Sequence, residues 1–256
     1  MQTGTYNSFQ AGLRQQNKHG LSFELDYTYA HQIDSTPGSI DVDNNNPTRN
    51  PWNMKYDKGS GALDRRHVFS GNYEYKLPFF NHASGLTKSA LGGWEISGTV
   101  VKESGMPWFA GYAPTNSYGD TVGLGGDYAI RPDLTGKPHY TKAKTTVGKV
   151  SGYQYVSSTG FSKPVASWLG GSNLGFGNMG KDAVVGAGRT NFATALYKSF
   201  AFGEVGHFEF RADSFNTFNH TQFNGLADTN PQNADFGFVN SAQDPRVIEL
   251  GGKLIF

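Results

Sequence analysis

The chain has 256 residues and carries 22 Lys and Arg against 21 Asp and Glu, so its formal net charge of +1 supplies no global field for nucleic acid or an acidic surface. Its 34 Gly, 19 Phe and 13 Tyr describe an aromatic, turn-rich β-protein, and the absence of cysteine excludes a disulfide framework or a thiolate metal site. No run approaches the ~18 apolar residues of a transmembrane helix, a test that membrane-crossing strands escape because only alternate positions need be apolar.

Thr5 to Gln16 reads as a strand with Phe9, Ala11 and Leu13 on one side and Ser8, Gln10, Gly12, Arg14 and Gln16 on the other. Asn17-Lys18-His19-Gly20 is a tight turn. In the next strand Leu21, Phe23, Leu25, Tyr27 and Tyr29 alternate with Ser22, Glu24, Asp26 and Thr28, giving one apolar and one acidic face. Periodicity then vanishes from Gln32 to Asp64, a long loop rich in Asp, Asn, Pro and Gly. Asp41, Asp43 and Asn45 imitate the start of a calcium loop, but Asn46 and Trp52 stand where an EF-hand needs glycine and glutamate.

Arg65 to Leu77 is the third strand, with His67, Phe69, Gly71, Tyr73, Tyr75 and Leu77 on one face and Val68, Ser70, Asn72, Glu74 and Lys76 opposite. A medium connection after Pro78 leads to a fourth strand near Leu91 to Lys102, with Trp94, Ile96 and Val100 against Glu95, Ser97 and Thr99. Trp94 and Trp108 share its parity and suit two aromatic belts separated by a hydrocarbon slab. Glu103 to Arg189 is irregular, and a structureless loop of that length argues against a compact soluble domain. Gly152 to Ser158 is read as a hairpin extension, and Gly123 to Asp127 as a turn. Thr190 to Phe202 turns outward Phe192, Thr194 and Leu196, although Tyr197 and Lys198 blur the pattern. After the turn Gly203 to Gly206, the strand His207 to Phe218 sets Phe208, Phe210 and Ala212 against Glu209, Arg211 and Asp213. Asn219 to Pro245 is a polar loop, and Arg246 to Phe256 is the final strand, with Ile248, Leu250, Leu254 and Phe256 on its apolar face.

Connections alternate short and long throughout, which a membrane barrel explains: tight turns face one side and long loops the other. A soluble sandwich has no reason to keep that asymmetry. The fold expected is all-β, an antiparallel meander of about seven long strands forming part of a transmembrane β-barrel with long extracellular loops. Glu24, Asp26, Glu74, Lys76, Glu209, Arg211 and Asp213 would then line a wet lumen, where charges escape the cost of a dry core.

The terminal spacing of Glu249, Gly251, Leu254 and Phe256 resembles the signal by which outer-membrane barrels are handed to the barrel-assembly machinery. Asp64 to Ser70, Gly92 to Gly98, Phe208 to His220 and Asp244-Pro-Arg246 resemble the carboxyl-terminal barrel of Oar-like TonB-dependent outer-membrane receptors. That resemblance implies a barrel of about twenty-two strands around a plug, contact with outer-membrane lipid, coupling to the TonB complex through the plug, and uptake or export of an extracellular ligand. Residues 1 to 20 have no basic start, apolar core or cleavage site, so Met1 is expected to be an internal or artificial start and 1–256 a terminal portion of such a barrel.

No nucleophile elbow, Walker loop, zincin motif or dinucleotide fingerprint occurs, so no catalysis, cofactor, metal or nucleic-acid partner is expected. Ligand contact falls instead to the loop aromatics Trp52, Tyr56, Trp108, Phe109, Tyr112 and Tyr118. Two rival readings are a secreted β-sandwich that binds carbohydrate as an adhesin and a small self-closed porin of about eight strands.

Overall fold

A computed structural model describes residues 3–35, 50, 53–112, 130–165, 175–181, 183–203 and 205–256. Seven long strands follow one another across a single antiparallel sheet: β1 (Gly4–Lys18), β2 (Leu21–Asp34), β3 (His67–Lys76), β4 (Trp94–Glu103), β5 (Arg189–Ala201), β6 (His207–Phe215) and β7 (Val247–Ile255). Each strand lies beside its neighbour in sequence, and β1 and β7 form the two edges. Gly59–Ser60 adds a short extra pairing to the far end of β2.

Register makes the alternation of each strand a property of the whole sheet. Leu25 sits opposite Leu13 and Gly71, Gly71 opposite Val100, and Val100 opposite Phe192. Ile96 is opposite Leu196, Leu196 opposite Ala212, and Ala212 opposite Leu250. One apolar stripe therefore crosses all seven strands, because a slip of one residue anywhere would turn a charged row outward. Gly71 and Gly98 leave room on that stripe for the side chains of Leu25 and Tyr73, which lie over them.

Among the described residues, no second layer covers the stripe. Leu25, Tyr27, Phe69 and Tyr73 are partly exposed, and Leu13, Leu250 and Leu254 are largely bare. Among the described residues, all the buried hydrophobic side chains except Ala30 lie in the connections between wall strands. A sandwich would place its core under the sheet, so that reading fails. The ten residues of β3 or β4, at ~3.3 Å rise and ~40° tilt, span about 25 Å, the height of a membrane barrel's apolar band. Along the stripe, Tyr27, Tyr29, His67 and Phe192 mark one end and Tyr75, Trp94, Phe200 and Phe208 the other.

Short connections close one end of the sheet. Asn17, His19 and Gly20 take positive φ in the first turn, and Gly203 does so in the third. The middle connection at that end holds a helix, α1 (Gly85–Leu91), where the sequence suggested only a link and an earlier strand start. Seven residues are too few to show a helical period.

At the opposite end, the three long connections fold together into a cap. The stretch 104–188 is not structureless. It contains the hairpin Ala143–Val147 with Val150–Gln154 and pairs Asp133–Leu134 with Phe161–Ser162 and Pro107–Trp108 with Val184–Val185. The connection 216–246 forms its own pair, Phe223–Leu226 with Val239–Ala242. Ala110, Val156, Met179, Val184 and Phe236 make the cap's core, with Trp108, Leu134, Tyr140 and Phe161 packed against it. Trp108 is thus a cap residue and marks no membrane belt, because the chain leaves the sheet after Glu103.

Candidate functional site

Two surfaces meet at the mouth of the sheet: a polar trough along its concave face and the cap above it. Ser22, Asn72, Glu74, Ser97, Thr99 and Arg211 line the trough. Glu24, Asp26, Glu74, Lys76, Glu209, Arg211 and Asp213 all lie on this face by register, opposite the apolar stripe. Its charges pair along their own strands: Arg211 Nε donates to Asp213 at 2.8 and 3.0 Å, and His207 Nε2 lies 3.3 Å from Glu209. Such open, solvent-screened pairs tune a wetted surface rather than hold the fold.

Two of the segments that stood out in sequence, Phe208 to His220 and Asp244 to Arg246, meet at the rim. Asn216 adopts φ +49°; its Nδ2 donates to the carbonyls of His220 and Asp244 at 3.1 Å, and its Oδ1 accepts from His220 N–H at 3.0 Å. Asn219, at φ +53°, accepts from Arg246 N–H at 3.0 Å through Oδ1. Asparagine suits both places because its short amide tolerates the left-handed region and bonds the local backbone. Phe208 to His220 and Asp244 to Arg246 therefore form one latch that fixes where β6 stops and β7 begins.

A second latch ties β2 to the loop before β3. Asp64 Oδ1 accepts from Gln32 N–H at 2.9 Å, and Oδ2 accepts from Arg66 Nε at 3.1 Å and from His31 Nδ1 at 3.0 Å. Arg66 Nη2 lies 3.0 Å from His31 Nε2, which must accept, so Nδ1 carries the proton given to Asp64. Burial pushes the Asp64 carboxyl up, but the Gln32, Arg66 and His31 bonds outweigh it and hold the group below its ordinary value. A depressed carboxyl stabilises the fold fully above the ordinary carboxyl pKa of about 4 and loses that contribution as pH falls through the native value. Acidification below about pH 4 should loosen residues 61–66 first, and Asp64→Asn should flatten that acid limb in amide exchange.

The candidate ligand aromatics have diverse fates. Tyr56 carries the Arg131 guanidinium over its ring at 3.5 Å, with Phe176 at its edge. Trp108 packs edge-on against Tyr155, centroids 5.4 Å apart, and Phe109 is half-buried. Tyr112 is only 2% exposed, and burial pushes its phenol up to about 12. Its place is the cap interior rather than the surface, because its backbone pairs with Ile130 in both directions. Trp52 and Tyr118 lie outside the described residues, as do Asp41, Asp43, Asn45 and Gly123 to Asp127.

Residues that no pattern singled out join the cap's three parts. Arg131, 1% exposed, lies 3.6 Å from Asp57 and donates to the Tyr56 carbonyl. Lys181 pairs with Asp34 and bridges Gly59, so the first and second long connections are tied twice. Gln154 Nε2 donates to Phe236 O at 3.2 Å, Tyr155 N–H to Gly237 O at 2.8 Å, and Tyr153 stacks on Phe223 at 4.2 Å, joining the second to the third. Gly237 has φ +70°, and a Cβ there would meet Val156 O at 1.9 Å. Gly237→Ala should separate these two connections at a cost above about 1 kcal/mol, visible as faster proteolysis near 223–242 with the wall intact.

Among the described residues, no group of three or more metal-ligating side chains occurs. An uncovered aromatic stripe opposite a polar concave face, strands of bilayer height and loops gathered at one end define a wall of a membrane β-barrel. The family model for the outer membrane beta barrel domain matches residues 1–249. The chain belongs to that family, and its place is the bacterial outer membrane. No curated protein and no solved structure matches it.

Proposed function

We propose that the chain is a wall segment, with its extracellular loops, of an Oar-like TonB-dependent receptor that moves a ligand across the outer membrane. The observation that carries this reading is the pair of free sheet edges. β1 and β7 do not pair with each other, and each leaves a row of backbone groups without a strand partner. Hydrocarbon cannot satisfy those groups, which supports a complete barrel wider than seven strands, with further strands flanking both edges. A small porin closed by this chain alone would instead join β1 to β7.

The seven charged residues of the polar face then look into the barrel interior, where a plug would rest, and the cap forms the outer vestibule. Glu249, Gly251, Leu254 and Phe256 serve as the assembly signal, and Phe256 projects almost fully exposed beyond β7. Coupling to TonB belongs to the plug, and the wall performs no catalysis. An antiserum against this chain tests the proposal on native outer membranes. The expected result is a band much heavier than 27.8 kDa that crosslinks to TonB. A heat-modifiable band at 27.8 kDa that conducts ions alone would overturn it.

A further inference from the structure

Apolar side chains also crowd the end of the wall opposite the cap. The connection 77–93 exposes Phe79, Phe80, Leu91 and, at 88%, Leu86, while α1 buries none of its residues. Phe80 is held at φ +59°, a conformation costly for a bulky side chain, although half of its surface stays exposed there. Water gives no return for this arrangement.

Two hydrogen bonds fix the side of the wall on which the segment lies. Trp94 Nε1 donates to Ala90 O at 3.2 Å, and Lys198 Nζ donates to Gly92 O. Trp94 and Lys198 face each other on the apolar stripe, so the end of α1 is fastened to the lipid side and not over the trough. The same contact explains a lysine on that stripe: Lys198 is 2% exposed, roofed by Trp94, Phe200 and the end of α1. Trp94 in turn packs edge-on against Phe200 and Phe210, the aromatic girdle at this level. From Pro78 to Gly93 the only side chains able to carry charge are His82 and Lys88, and no Asp or Glu occurs.

We infer that residues 78–92 form an interfacial anchor. Phe79, Phe80, Leu86 and Leu91 enter the acyl-headgroup boundary of the leaflet opposite the cap, and Lys88 meets anionic phospholipid headgroups there. The segment is continuous with the lipid-facing girdle, and its charge complements such headgroups. This depends on the lipid-facing wall and not on what the barrel transports.

These 256 residues hold no cysteine, so in the complete barrel that contains them, with any cysteine elsewhere replaced, single cysteines accept a unique environment-sensitive fluorophore. Leu86→Cys, His19→Cys in the polar turn, and Leu250→Cys at mid-stripe would be labelled in the purified protein, reconstituted in phosphatidylethanolamine and phosphatidylglycerol vesicles. The Leu86 label should emit blue-shifted light, lose most of its intensity to quenchers carried high on lipid chains, and resist aqueous iodide. The His19 label should do the reverse, and the Leu250 label should respond to deep quenchers. Lys88→Gln should lower the ratio of inserted to free segment roughly fivefold, but only when phosphatidylglycerol is present. Iodide quenching at Leu86 equal to that at His19 would overturn the anchor while leaving the wall intact. An unaltered ratio in Lys88→Gln would overturn the headgroup contact, and failure of the Leu250 label to meet lipid would overturn both.

Discussion

Leu196→Arg should keep the protein out of the outer membrane, whereas Ala195→Arg on the next residue should be tolerated. Leu196 lies at mid-stripe between Ile96 and Ala212, and an arginine at the midplane of a lipid-facing barrel surface costs about 2–4 kcal/mol. Ala195 points into the trough opposite Asp213, where water and a carboxylate both receive a guanidinium. Outer-membrane yield and urea unfolding in vesicles would measure the difference. If the pair behaved alike, or in the opposite order, hydrocarbon could not be the medium over the stripe.

Arg131→Met should release the first long connection from the second while the wall stays folded. Arg131 and Asp57 are both almost wholly buried, and removing one partner of such a buried pair costs about 3–5 kcal/mol. Its ring contact with Tyr56 disappears as well. Hydrogen exchange should quicken at 53–61 and 175–181 with no change in β3 to β6, and adding Asp57→Leu should restore much of the protection. Equal loosening of the wall would show that cap and wall unfold as one unit.

How far the sequence could be read depends on the distance over which each element is decided. Every wall strand was legible because hydrocarbon on one side and water on the other write a period of two into the residues themselves. Leu21 to Tyr29 carries it without a break, and the structure keeps that parity across six pairings. Lys198 disturbed the pattern because its charge is met by Gly92 O, a partner set by a turn far away in sequence. The cap was illegible for the same reason. Arg131 meets Tyr56 across 75 residues and Gln154 meets Phe236 across 82, and neither pairing leaves a local period or motif. Aromatics in loops, as at Tyr112 and Trp108, look alike whether they await a ligand or fill a core. Only the partner residues distinguish the cases, and those lie in other connections.

Because the second long connection is fastened to both the first and the third, the outer face presented to the surroundings is a composite and not three separate peptides. Antibodies raised on synthetic copies of a single connection should recognise the cell surface poorly, since each epitope borrows its shape from its neighbours.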